Sequence, residues 1–513
     1  MKTKTRVLAL LLALLLALLA LASVLAGCKK KEEKPSGGTG KLIGDDSGDS
    51  AGKNPYADVD FGGRIFQVHI NTKDAGFESS SKYIIPVEEL DSKCNELEKE
   101  VFERDAWMAE NLNMDIEYTP YSAEYNVVVE SLRVLVNSGV SYDLFIDKLF
   151  PMANFSLEGH FENVAGRSEL QYFENYWYND YMNSLSLDEG STMYLLAGDY
   201  FIDVLRSSNV MFVNLDMLDD CFPDAGGSEQ FLNDVIDGKW TYEELMTRSE
   251  AVYLAGDTVL TTRYGLLFHT VWEPLIPMIV AGGATFAEVS DGELVSKMTD
   301  DRNVRLFGQL KALLNSETCD TCIGGNGVDW GLNPAFGVDA TLSNIQTIFV
   351  NGHGLFTYGR FASMETLGKT ALRYSALPYP KSNAEDSYIT ASHDTTEIGG
   401  IPKGAENVGE ILQMLDILSA LSNKDLIQVY YEEALKIRYS SNKQAASVVD
   451  IIHDNMGSAF ALAYSEACSG LLLWHSYYVP LRDGRDYLIT LQSNSAPLQS
   501  ALNTLMKKWN EIS

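Results

Sequence analysis

The sequence predicts an α/β protein built as two lobes, and three observations carry the prediction. Strand-like and helix-like patterns alternate from Arg64 to Ile146, and such alternation signals a mostly parallel sheet covered by helices. An apolar strand at Val210-Met-Phe-Val-Asn214 then leads into a stretch whose patterns are mainly helical. About 455 residues follow the export signal and polar tether of the first 58, too many for one hydrophobic core and comfortable for two domains.

Lys2, Lys4 and Arg6 open the chain, and an apolar run from Val7 to Ala26 follows, broken only by Ser23. A basic start, an apolar stretch and a small-residue exit describe an export signal over residues 1–27. The exit, Leu25-Ala26-Gly27-Cys28, resembles the lipobox of bacterial lipoproteins. That resemblance implies cleavage before Cys28 and lipidation of its thiol. The alternative is an uncleaved anchor, since about 20 apolar residues span a bilayer, and Lys29, Lys30 and Lys31 blunt any orientation signal. Either way the body is expected outside the cytoplasm, tethered to a membrane.

Residues 28–58 are rich in Lys, Glu, Gly, Ser and Asp. Such a segment buries too little to offset its ordering entropy, which predicts a flexible tether. Asp45-Asp46-Ser47-Gly48-Asp49 has the composition of a calcium loop without the spacing or the closing Glu of an EF-hand, so no metal is assigned. The chain holds 39 basic and 71 acidic residues, a formal charge of −32. A field of that sign repels nucleic acid and anionic lipid and disfavours a polyanionic ligand. Beyond Cys28 stand Cys94, Cys221, Cys319, Cys322 and Cys468. Cys319-Asp-Thr-Cys322 has redox-like or metal-like spacing, but no second pair completes a zinc site. Its sequel Ile323-Gly-Gly-Asn-Gly reads as loop, so a local disulfide or free thiols come first. The odd count leaves at least one thiol unpaired or intermolecular.

Within the body, Arg64–Ile70 is a strand entered through Gly62-Gly63 and ending at Asn71-Thr72. Leu97, Val101, Phe102 and Met108 recur at helical spacing from Asn95 to Asn111. Met114–Tyr118 is a second strand, Tyr125–Asn137 a second amphipathic helix, and Tyr142–Ile146 a third strand ending at Asp147-Lys148. Ligands of parallel sheets sit at the carboxyl ends of strands, which points to Asn71, Thr72, Asp147 and Lys148. Further on, Thr241-Tyr-Glu-Glu244 has the form of a capping box, and Val304–Leu314 is helical. Leu355–Tyr358 is a strand returning toward the first lobe, and Tyr374–Pro380 is extended. Asn407-Val-Gly-Glu410 opens a helix through Leu421, and helices cover about Lys424–Arg438 and Ala445–Ala463.

The order of these motifs from Phe61 to Ser465 resembles family 1 of the bacterial extracellular solute-binding proteins, which includes maltose-binding protein. The matching stretches are Tyr142–Ile146, Ser208–Leu218, Gly238–Leu245, Trp272–Ile276 with Gly282-Gly283, Phe349–Gly352, Gly354–Tyr358 and Leu377–Lys381. The resemblance implies a type II periplasmic-binding-protein-like fold, with three crossings between the lobes. These map near Ser207–Val213, Val350–Tyr358 and Leu418–Asp425. One lobe is then 59–208 plus 356–420 and the other 209–355 plus 421–513. The glycine-rich stretch Cys319–Gly337 is an insertion relative to the best-known members. The resemblance also implies a monomer that captures a small solute, a mono- or oligosaccharide foremost, and delivers it to an ABC transporter permease without cofactor.

A sugar presents flat C–H faces and a rim of hydroxyls, so its site wants aromatic platforms beside planar polar groups. Trp272, before Gly282-Gly283, is either such a platform or a core tryptophan. Tyr358 and Arg360 end a strand at a predicted crossing, where an arginine fork suits two hydroxyls or a carboxylate; the alternative is an interlobe salt bridge. Asp147 and Lys148 offer an acceptor and a donor, or are an exposed loop pair. Trp330 is a lid or a loop pin, and Trp474 and His393 complete the candidates. No GxSxG elbow, HExxH helix or Walker loop argues for catalysis. The competing readings are a surface-anchored glycosidase, which needs two facing carboxylates, and a non-transport surface lipoprotein.

Overall fold

A computed structural model describes residues 55–74, 78–171, 173–257, 261–268, 272–316, 319–320, 344–431, 443–457 and 459–513. The export signal, Cys28, most of the tether, Cys322 and Trp330 lie outside them.

The first strand, β1 (Arg64–Asn71), alternates as its sequence dictates, with Phe66, Val68 and Ile70 wholly buried. It pairs in parallel with β2 (Met114–Tyr121) from Arg64↔Met114 to Asn71↔Tyr121, and with β3 (Leu144–Lys148) from Val68↔Leu144 to Ile70↔Ile146. The crossover helix Glu96–Leu112 starts at a full capping box. The Asn95 side chain accepts from Glu98 N–H, while Glu98 accepts from Asn95 N–H, so two otherwise orphaned donors are satisfied. The next helix, Val128–Asn137, buries Val128 and Leu132 and leaves Val134 exposed.

The chain then forms β4 (Asn209–Asn214), β5 (Tyr264–Leu267), the pair β6 (Ala287–Ser290) and β7 (Glu293–Ser296), β8 (Cys319–Asp320), β9 (Gly354–Arg360), β10 (Tyr374–Leu377) and β11 (Glu397–Gly400). β6 and β7 are joined by Asp291-Gly292, both at positive φ, as a tight two-residue hairpin requires. One sheet has the order β11-β3-β1-β2 and another the order β10-β4-β9-β5-β8. In the first, only β11 runs antiparallel, Glu397 facing Lys148. In the second, β10 and β9 flank β4 antiparallel, and β5 lies parallel to β9.

Several expectations shift. The strand at Leu355–Tyr358 is present but does not return to the first sheet. It pairs with β4 from Asn209↔Arg360 to Val213↔Phe356, which buries Leu355, Phe356 and Thr357 completely. β10 stays in that sheet as well, and the strand that rejoins β3 is β11. The run through Leu418–Asp425 is continuous helix, Val408–Leu421 followed by a wider turn at Ser422–Leu426. Periodicity shows that a strand exists, whereas its sheet depends on a partner far along the chain. Thr241 caps its helix by accepting from Glu244 N–H, but Glu244 turns away to pair with Arg248 at 2.5 Å. Asn407 adopts a left-handed conformation and makes no side-chain cap, and Glu410 pairs with Arg64. The terminal helix Tyr487–Ile512 was not anticipated. Its Gln499 bonds β7 at Leu294 O and Ser296 N, while the Ile512 carbonyl accepts from Tyr194 O–H. Residues Tyr56–Ser513 pack as one unit. Among the described residues, no helix is long and apolar enough to cross a membrane, and no group of three or more potential ligands gathers to hold a metal. Cys94, Cys221 and Cys468 are free thiols.

Candidate ligand-binding groove

The register of the first sheet sets the carboxyl ends of β1 and β3 side by side. Asn71 donates to Asp147 Oδ1 at 2.9 Å and to the Ala123 carbonyl at 3.0 Å. Asp147 also accepts from the Tyr121 hydroxyl and from Lys148 N–H at 2.7 Å. Lys148 Nζ lies 2.5 Å from Glu397 Oε1. Burial raises the Asp147 pKa despite these donors. Burial alone would lower that of Lys148, but the Glu397 charge raises it. Asn71, Asp147 and Lys148 are all closed to solvent. Expected as an exposed pair or as ligand-gripping groups, Asp147 and Lys148 instead form a buried polar cluster, because each polar atom finds its partner inside the fold. Thr72 is partly exposed, with its hydroxyl donating to the Tyr121 carbonyl at 3.0 Å.

A separate groove of about 690 Å³, lined by none of Asn71, Asp147 and Lys148, falls within the ~300–1,000 Å³ range of small-molecule sites. One wall comes from the turn at Tyr125–Val127 and the helix Leu149–Ser156, which contribute Tyr125, Phe150 and Asn154. The segment from Leu462 to Trp474 contributes Glu466 and Trp474 to the rest of the lining, and Asp394 joins them. Tyr125 meets Phe150 edge to face at 5.4 Å between ring centres, and Trp474 sits 4.7 Å from Tyr478. Asn154 Nδ2 donates to Glu466 Oε2 at 3.0 Å, joining the two parts of the lining.

With Glu466, Asp394 is one of two carboxylates in the lining. Its Oδ1 is 2.8 Å from His393 Nδ1 but outside hydrogen-bond geometry with it; His393 Nδ1 also meets Thr395 Oγ1 at 2.8 Å. Burial pushes the Asp394 pKa up, but His393 and Arg360 outweigh it and hold the group below its ordinary value. Asp394 is therefore a carboxylate at neutral pH, suited to accept from hydroxyls.

Of the sequence candidates, the structure brings Trp474, His393 and Arg360 to this region, Trp474 in the lining itself. Tyr358 is not in the lining; it is half-buried with its ring 5.5 Å from Phe268. Trp272 opens the helix Trp272–Ala281. Tyr125, Phe150, Asn154, Asp394 and Glu466 escaped the sequence reading. Phe150 lies two residues beyond the strand-end pair, a signal within reach. Glu466 sits in a segment without helical or strand periodicity, where nothing local marks it.

No protein-family model matches the chain, and no curated protein matches its sequence. Solved structures do. The sugar-binding protein MalE from the phytopathogen Xanthomonas citri is 11% identical with a TM-score of 0.54, covering 87% of this chain and 98% of its own. A cyclo/maltodextrin-binding protein complexed with maltotetraose is 12% identical with a TM-score of 0.51, covering 87% and 96%. With the two sheets described above, these likenesses show that the chain has the two-lobed α/β fold of the type II periplasmic binding proteins.

Proposed function

We propose that this chain is a lipid-anchored, extracytoplasmic solute-binding protein that captures a carbohydrate between its lobes and passes it to an ABC importer. The lobes follow the sheets, one around β1, β2, β3 and β11, the other around β4, β5, β9 and β10. The segments that bend lie where the chain passes between the sheets, near 203–208 and 378–396. The observation that carries the reading is the groove. Three aromatic rings, Tyr125, Phe150 and Trp474, flank an ionised acceptor, Asp394, and an amide–carboxylate pair, Asn154 and Glu466. Rings take up the C–H faces of a sugar, and planar polar groups take its hydroxyls. Asp394 is shifted opposite to what a glycosidase acid needs, and Glu397, whose pKa is raised, is sealed from solvent. Both favour binding without cleavage. Export and anchoring rest on the lipobox-like Leu25–Cys28.

The test is a thermal-shift screen of the purified protein against neutral oligosaccharides, peptides and amines. A sugar at 100–1,000 times its Kd stabilises by about 2.7–4.1 kcal/mol, and Trp474→Ala should weaken that sugar's binding at least tenfold with the unliganded melting temperature little changed. Stabilisation by peptides alone, or cleavage of the sugar on incubation, contradicts the reading. Cys28→Ser should abolish acyl-chain incorporation; a lipidated Cys28→Ser chain contradicts the anchor.

A further inference from the structure

Apart from the groove, and independent of what it binds, one polar network touches segments that join the two sheets. Lys148 ends β3, Asp203 and Arg206 lie just before β4, Glu365 follows β9, and Glu397 opens β11. Glu397 Oε1 accepts from Lys148 Nζ at 2.5 Å and from Ser79 Oγ at 3.0 Å, and its backbone N–H donates to Asp203 Oδ2 at 2.8 Å. Asp203 Oδ1 accepts from Ser80 Oγ, which also receives Arg206. Arg206 in turn forks onto Glu365, Nε to Oε1 at 2.9 Å and Nη2 to Oε2 at 3.3 Å.

Among its groups closed to solvent, the network holds one negative charge too many. Asp147, Asp203 and Glu397 are closed to solvent, against only two buried cations, Lys148 and Arg206, and Arg206 is shared with the partly exposed Glu365. Both oxygens of Asp147 and both of Asp203 accept hydrogen bonds. Glu397 Oε2 is buried and accepts none. A buried carboxylate oxygen without a donor is costly while charged, so the network's surplus is removed most cheaply by a proton there. The charged groups that act on Glu397 are Lys148 from β3 and Asp203 from the helix Asp203–Arg206; Asp147 accepts from the Lys148 N–H, Arg206 reaches Asp203 through Ser80, and Glu78, Lys82 and Tyr83 flank Ser79 and Ser80 in sequence. The helix Leu149–Ser156, also packed on β11, has none.

We propose that Glu397 is a proton-binding site set into the segments that join the two sheets, protonated below neutral pH while they are packed and charged as pH rises or once they loosen, so that lower pH tightens the join. Burial first, then the Asp203 charge, push its pKa up to about 7, against the opposing pull of Lys148. An acid raised in the folded state adds stability below its unfolded pKa, and that stability is lost as pH rises through the folded value.

The experiment is the melting temperature of the purified protein and of Glu397→Gln, a neutral isostere, from pH 4.5 to 8. The wild type should fall behind the variant by a few degrees as pH rises through 7, with the two matching near pH 4.5; a difference constant across that range overturns the proposal. Lys148→Met, which deletes the cation favouring the charged form, should move the wild-type midpoint to higher pH, and an unmoved midpoint also overturns it. Amide exchange at residues 393–400, corrected for intrinsic rates, should be slower at pH 5.5 than at 7.5 in the wild type and pH-independent in Glu397→Gln. Equal pH dependence in both would show that the join does not sense this proton.

Discussion

His453 shows how far one side chain's surroundings can move its chemistry. Its Nε2 lies 3.1 Å from Asp199 Oδ1, and Asp199 is held in turn by Tyr178 O–H at 2.5 Å and Asn423 Nδ2 at 2.7 Å. Burial alone would lower the imidazole pKa, but Asp199, helped by Asp454, carries it up to about 10. The cation is thus a permanent structural one at neutral pH. Its stabilisation is complete below the unfolded value near 6.5 and is lost as pH rises through 10. Asp199→Asn should cost about 3–5 kcal/mol, since it strands a buried charge. It should also flatten the alkaline limb of a urea-denaturation series between pH 7 and 10; an unchanged limb would contradict the assignment. None of this pairing was visible in the sequence, where 254 positions separate the partners. Trp474 and His393 were visible as candidates because tryptophan and histidine are scarce, seven of each in the chain. Asp394 was hidden among 71 acidic residues and became distinct only when the fold set His393 and Arg360 beside it.

At the scale of elements, local chemistry was the most readable layer. The helix Glu96–Leu112 follows from its apolar spacing and from the reciprocal Asn95–Glu98 cap. Asn95→Ala should cost about 1 kcal/mol, read as a lower denaturation midpoint with unchanged slope. The Gly282-Gly283 pair proves structural for a stated reason. Gly283 has φ +78°, its carbonyl accepts from Arg302 Nε at 2.6 Å, and a Cβ there would lie 2.1 Å from Arg302 Nη2. Gly283→Ala should therefore destabilise by roughly 1–3 kcal/mol and disturb the Arg302–Asp386 fork, whereas Gly308→Ala, in a helix with open space around it, should be neutral or stabilising. Strand membership was less readable than strand existence. β9 and β10 carry patterns that suit either sheet, and only pairing with β4 places them.

For the whole molecule, alternation from Arg64 to Ile146 and the sheer length of the chain gave the layered α/β architecture, and the order of loose motifs narrowed it to a two-lobed fold. The long terminal helix went unread because its polar residues and internal Pro497 obscure the periodicity. The groove was only partly legible because its walls come from residues some 340 positions apart, Tyr125 and Glu466 among them, and no local pattern records such a meeting. The central claim is mechanical: two lobes, joined by a few bendable segments, close on a solute. Small-angle scattering of the purified protein, with and without a saturating sugar identified by thermal shift, tests it most directly. The account predicts a smaller radius of gyration and a shorter maximum dimension on binding, with the change abolished in Trp474→Ala at the same sugar concentration. A ligand that binds while both dimensions stay fixed would contradict it.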